Sequence, residues 1–293
     1  MGLMLALAAL LAGGVALTAR WGATTYQTWP SARADTSGTG QTSPQVPSVR
    51  AAALGYLRGL AVALVAGFWA GALVTGPAVR LIMRLLAATA GDGAQGGLTE
   101  AKEVVGNIDF GGTMALYLFG GILPGLLSGA VYVLVRRLLP AGRAGGFTFG
   151  VLHLLLAATR IDPLRPNNSD FHLVGPGWLA VAAFGVAVIV HGMAVAAIAN
   201  RFSTSFPPGV TATASRRRAA LPVVLPALLL IPGFLLLVPI SAGLLIAVAA
   251  VRLAPGSLIP SPGLLRLGRV ALGAIALALL PFTAMDLRDI VTA

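Results

Sequence analysis

The hydrophobic pattern of this chain is one of long apolar runs separated by short polar connectors. The most complete run is Phe110 to Arg137, FGGTMALYLFGGILPGLLSGAVYVLVRR. It holds about 26 nearly uninterrupted apolar residues, enough at 1.5 Å per residue to cross a hydrocarbon layer roughly 30 Å thick. It opens beside Asp109 and closes on Arg136 and Arg137, with Arg143 soon after.

The same pattern recurs along the chain. Residues 1–19 form a first apolar run with Arg20 directly after it and no basic residue before it. A secretory signal carries a basic n-region, so the expectation is a retained helix with its N-terminus outside. Residues 20–50 are rich in Ser, Thr, Gly, Pro and Gln and read as a flexible linker. The bundle proper is expected to occupy 51–293. Its second span runs from Ala52 to Thr75, and Pro77 then starts a separate segment whose Arg80 and Arg84 share one face at headgroup level. Thr99–Val105 reads as a short surface helix capped by Thr99. Gly146–Thr159 is a short fourth run, and Gly177–Ala199 is a fifth span. The stretch 219–251 is too long for one span and is broken by Pro222, Pro226, Pro232 and Pro239, which predicts a hairpin of two. Val270–Ala284 is the last. The fold predicted is an all-α transmembrane bundle of about eight spans, or seven if 219–251 crosses once.

Composition agrees with this pattern. The chain has 293 residues, 57% hydrophobic and 10% charged, with a mean hydropathy of +0.89. Soluble domains are nearer 45–50% apolar and about 25% charged. The net charge of +11 is spread over helix ends rather than one polar face, so it argues for membrane orientation and against nucleic acid. Eight spans with both termini outside place 14 basic residues and one acid inside, against 6 basic residues and 8 acids outside. That split follows the positive-inside rule and sets the orientation; the expected location is the plasma membrane. There is no cysteine, which excludes disulfides, thiolate catalysis and cysteine-held metals.

Small residues recur every fourth position on two helices. Gly55, Gly59, Ala63, Gly67, Gly71 and Thr75 form one ridge, and Gly121, Gly125 and Gly129 form another. Such ridges let backbones approach closely. They predict that helices two and three pair, or that a ridge serves a second copy or another membrane protein.

The connecting segments GPAVRLIMRLLAAT, LTEAKEVVGNI and RIDPLRPNNSDF resemble those of an uncharacterised family of bacterial multi-pass membrane proteins. The resemblance covers about residues 75–200. It implies a membrane protein and brings no activity, cofactor or site residue.

Candidate chemistry is sparse. His153 and His191 lie inside predicted spans at similar depth, where ionisable groups often mark proton or ion paths. Hydrogen bonding between helices is the plainer role, and haem or metal ligation is a third. A polar cluster is predicted at the outer face from Glu100, Glu103, Asp109, Arg160, Asp162, Arg165, Asp170 and His172. Residues 91–96 match a GxGxxG spacing, yet no βαβ context surrounds them. Zinc-peptidase, nucleophile-elbow and phosphate-loop motifs are missing. Ser128 in LLSGA resembles the serine of rhomboid-type intramembrane proteases, but Leu126 stands where that motif has glycine. The expectation is a membrane protein without catalysis, cofactor or metal, either a component or an assembly partner in the lipid bilayer. A proton- or ion-coupled transporter using the two histidines is the alternative, and an intramembrane enzyme the third.

Overall fold

The structure, a computed structural model, describes residues 2–26, 49–205 and 262–293. The middle of the linker and the proline-broken run 219–251 lie outside the described residues. Those described are helical, with no strand and a single isolated bridge between Leu98 and Val104. In order they form α1 (Gly2–Trp21), α2 (Val49–Ala70), α3 (Gly76–Thr89), α4 (Phe110–Tyr117), α5 (Leu123–Val135), α6 (Gly142–His153), α7 (Asp170–Leu173), α8 (Gly177–Ser205) and α9 (Pro262–Thr292). Five helical stretches among the described residues are long and apolar enough to cross a membrane, and Gly142–Ala158 is a shorter apolar sixth. The chain is therefore a helical membrane protein.

Two joints in this list are not breaks. A π turn over Gly71–Thr75 carries α2 straight into α3, and another over Leu118–Ile122 carries α4 into α5. Both sit two residues before a proline, Pro77 and Pro124. A proline in a helix clashes with the carbonyl four residues back and gives that carbonyl no N–H. Widening the turn just before it relieves the clash without ending the helix. The expected break at Pro77 is thus replaced by one continuous helix, 49–89. A third π turn, Leu154–Ala158, extends α6. Helix α8 runs six residues beyond the predicted Ala199, and α9 begins earlier and ends later than the predicted last span.

The surface helix expected at Thr99–Val105 is instead a tight turn. Lys102 holds a left-handed conformation at φ 64°, and Thr99 and Glu103 close the turn through Thr99 N to Glu103 O at 2.9 Å. The Thr99 hydroxyl accepts from Glu103 N at 3.1 Å. Seven residues make too few helical bonds to offset nucleation, whereas turn and bridge bonds are available locally.

The continuous α2–α3 helix is the axis of the bundle: 78% of its most apolar stretch is buried, against 17% for α1 and 6% for α9. One core cluster joins Val62, Ala66, Ala70 and Val74 of this axis to Tyr132, Phe149, Leu152 and Val195. A second joins Ala78, Ile82 and Leu86 to Leu164, Phe171, Ala180, Phe184 and Ile290. In lipid such burial organises packing rather than driving it, because the tails are as apolar as the side chains.

Charged residues gather at two opposite ends. At one, Arg58 donates to the Ser203 carbonyl, Arg143 to that of Ala19 at 3.1 Å, and Arg136 lies 3.7 Å over the Tyr26 ring. At the other, Arg160 pairs with Asp286, Arg165 with Glu100, and Asp109 caps α4 by accepting from Gly112 N at 2.7 Å. Arg58 and Arg80 are 22 residues apart on the α2–α3 axis, about 33 Å of helix and close to the thickness of a hydrocarbon core.

Along that axis the backbone lies against α5 at glycine positions. A Cβ built on Gly71 would sit 2.6 Å from the Gly121 carbonyl oxygen, and one on Gly121 2.6 Å from Gly76 Cα. One on Gly125 would fall 2.9 Å from Gly71 Cα and closer still to the Gly67 carbonyl. Gly59 differs, since its Cβ would meet only Val133 at an ordinary 3.7 Å. We therefore expect Gly125→Leu to lower stability by about 1–3 kcal/mol through forced separation of the helices. Gly59→Ala should be neutral or slightly stabilising. Thermal unfolding of the detergent-solubilised protein checks both, and equal effects would contradict the described packing.

Candidate functional site

A second glycine contact builds the site. Helices α6 and α8 run antiparallel, and a Cβ on Gly150 would lie 2.5 Å from the Ile189 carbonyl oxygen and 2.7 Å from Ile189 Cα. On the other side, a Cβ on Gly192 would strike Gly150 itself. His153 stands three residues after Gly150 and His191 directly before Gly192. The close approach therefore delivers both rings to one place. Their centroids are 5.8 Å apart with the planes at 73°, an edge-to-face contact.

Each ring finds a hydroxyl on a further helix. Ser128 Oγ of α5 lies 2.8 Å from His153 Nε2, and Thr75 Oγ1, the last residue of the first π turn, lies 2.6 Å from His191 Nδ1. Which partner of each pair carries the proton depends on the imidazole tautomer. His191 is 4% exposed, and its Nε2 is buried with no hydrogen-bond partner among the described residues. Four helical stretches thus contribute one polar side chain each to a row: Thr75, His191, His153, Ser128. Two of the three π turns adjoin the row, one ending at Thr75 and one starting after His153. Such turns recur at functional sites because they re-aim side chains within a helix.

The row lies deep. Ser128 is eight residues from Arg136, and His191 is ten from Arg201, or about 12 and 15 Å along their helices. A serine hydroxyl donating to a histidine is the arrangement of an activated nucleophile. Here Ser128 is 3% exposed in the interior of a helix, where backbone N–H groups are committed to helical bonds rather than free to hold an oxyanion. A pocket among Thr18, Gly142, Arg143, Gly146, Met193 and Ala197 opens between α1, α6 and α8 and includes neither histidine. The geometry suits proton holding and hydrogen bonding better than acyl transfer. Among the described residues no group of three or more His, Asp or Glu is placed to hold a metal ion.

The outer cluster divides into four parts. Glu100, Asp162, Arg165 and Asp170 form one knot. Arg165 pairs with Glu100 and lies 3.9 Å from Asp162, and Glu100 N donates to Asp170 Oδ1 at 2.7 Å. Arg160 turns away to Asp286 of α9. Glu103 and Asp109 converge on Gly112, and His172 is exposed on α7. Partial burial raises the Asp170 carboxyl, and the hydrogen bond from Arg165 lowers that of Glu100. These bonds tie loops together, as expected of connections between spans.

The roles of Gly150 and Gly192 and the meeting of Thr75 with His191 were missed in sequence. No protein family, curated protein or solved structure matches the chain. The resemblance seen in its connecting segments therefore brings no residue role to this site.

The Glu100–Arg165 pair gives a signed pH dependence. A carboxyl lowered in the folded state contributes stability above its unfolded value and loses it as pH falls through the folded one. Arg165→Ala should slightly lower the melting temperature at neutral pH, since exposed pairs contribute little. The gap to wild type should close in acid. A gap that widens toward low pH would contradict the pairing.

Proposed function

We propose that the chain is a multi-pass integral protein of the plasma membrane, its basic end cytoplasmic, that passes protons through His153 and His191 to drive movement of a small solute or ion. What supports this above all is the contact of the half-buried His153 ring with the buried His191 ring, one nitrogen of which has no hydrogen-bond partner among the described residues. Ionisable groups are costly in the hydrocarbon region, and a buried polar atom without a partner calls for a functional explanation. Two neighbouring imidazoles, each backed by a hydroxyl, can take up and release a proton in turn.

The competing reading is a non-catalytic component in which the histidines only clamp helices together. The glycine ridges favour it less as an assembly surface, because Gly67, Gly71, Gly121 and Gly125 meet each other within one chain. The two readings separate on conservative variants. His191→Asn keeps a hydrogen-bonding group near the Nδ1 position facing Thr75, and His153→Gln keeps one near Nε2 facing Ser128; neither titrates. In proteoliposomes driven by a potassium diffusion potential, wild type should acidify or alkalinise the lumen, and both variants should fall to the level of protein-free vesicles while remaining folded. Wild type at that same background level would overturn the proposal.

A further inference from the structure

Between the histidine pair and the basic end stands an aromatic ring. Phe149 is 2% exposed and lies edge-on to His153, with centroids 4.6 Å apart, and edge-on to Tyr132 on its other side at 5.1 Å. Beyond it the polar groups resume. The Tyr132 hydroxyl donates to Asn200 Oδ1 at 2.9 Å, and Asn200 Nδ2 donates to the Thr24 carbonyl at 2.9 Å. Tyr132 and Asn200 are 5% and 3% exposed, so this is a built, satisfied station rather than surface hydrogen bonding. Ser128 and Tyr132 are four residues apart on α5 and thus on one face of it. Along three helices the order toward the basic end is the same: Ser128 then Tyr132, His153 then Phe149, His191 then Asn200.

We infer that the proton path from the histidine pair to the basic end runs past Phe149 to Tyr132 and Asn200, and that the Phe149 ring is the seal that interrupts it. This rests on the transport reading for its direction of flow, but the seal is a separate claim. Apolar constrictions block charge by excluding water. With the ring in place, Phe149 stands between the His153 ring and the Tyr132 ring. When the ring moves, a water can take one proton from the protonated His153, leaving neutral imidazole and a hydronium; the Tyr132 oxygen accepts a hydrogen bond from that hydronium, which hands its proton to the next water toward the basic end and returns to neutral water. Asn200 cannot itself hand a proton on. Its task is to hold the Tyr132 hydroxyl against the Thr24 segment, which makes it a positioning residue.

Two readouts test the inference on the full chain. Exchange of the imidazole C2 hydrogen with deuterium, followed by mass spectrometry, reports water at each histidine without requiring transport. Phe149→Ala should speed exchange at His153 several-fold and leave His172 unchanged, while Phe149→Leu, which keeps the bulk, should stay near wild type. In the flux assay, Tyr132→Phe removes one oxygen and should lower flux several-fold with His153 exchange unaltered. Unchanged exchange in Phe149→Ala would overturn the seal; should that variant not fold, Phe149→Val serves the same comparison. Wild-type flux in Tyr132→Phe would overturn the station. Wild type at background flux fails the transport reading and the station together, while the exchange experiment still decides the seal.

Discussion

The interaction everything else depends on is backbone-to-backbone approach at glycine. In a bilayer no hydrophobic force draws apolar helices together, so association relies on contact, and contact is closest where no side chain intervenes. The chain uses this twice: α2–α3 meets α5 through Gly67, Gly71, Gly121 and Gly125, and α6 meets α8 through Gly150 and Gly192. The first contact sets the axis of the bundle. The second fixes the two histidines, because each lies within three residues of the glycine that makes it.

Polar groups are then placed by that frame rather than by their own attraction. Isolated imidazoles and hydroxyls in hydrocarbon are costly. Each ring here gains a hydroxyl from another helix, and the π turn ending at Thr75 brings one of them into reach. The same π turns reconcile Pro77 and Pro124 with unbroken helices. The Ala72 carbonyl inside the first of them accepts from the Tyr117 hydroxyl, so a backbone group loosened from the α-helical ladder is satisfied across the α2–α4 boundary. Fold irregularity and site geometry therefore have one cause.

Much of this was legible in the sequence, and the reasons differ by element. Long apolar runs with charged flanks are linear signals, and Phe110–Val135 was read nearly residue for residue because length and hydropathy suffice. Glycines four apart announce a close-packing face in the same way. Pro77 misled because a proline is read as an N-terminal start, and only three-dimensional context shows that a π turn has absorbed it. Thr99–Val105 misled because its helical composition is outweighed by turn bonds and a left-handed Lys102. For the site, depth along the helix was readable and suggested that His153 and His191 lie level. Rotation about each helix was not, so their partners Thr75 and Ser128 were invisible. The signal that would have helped was Gly150 beside one histidine and Gly192 beside the other.

The central claim is that the α6–α8 glycine contact brings two imidazoles together inside the bundle, and the chain's own composition makes it directly measurable. It contains 3 histidines, so labelling histidine alone with carbon-13 gives a solid-state NMR spectrum from three rings in native lipid. The account predicts an inter-ring correlation joining the His153 and His191 signals, assigned by single substitutions, with the His172 ring correlated to neither. It also predicts loss of that correlation in Gly150→Leu. A spectrum with no correlation between the His153 and His191 rings, or one that survives unchanged in Gly150→Leu, would contradict it.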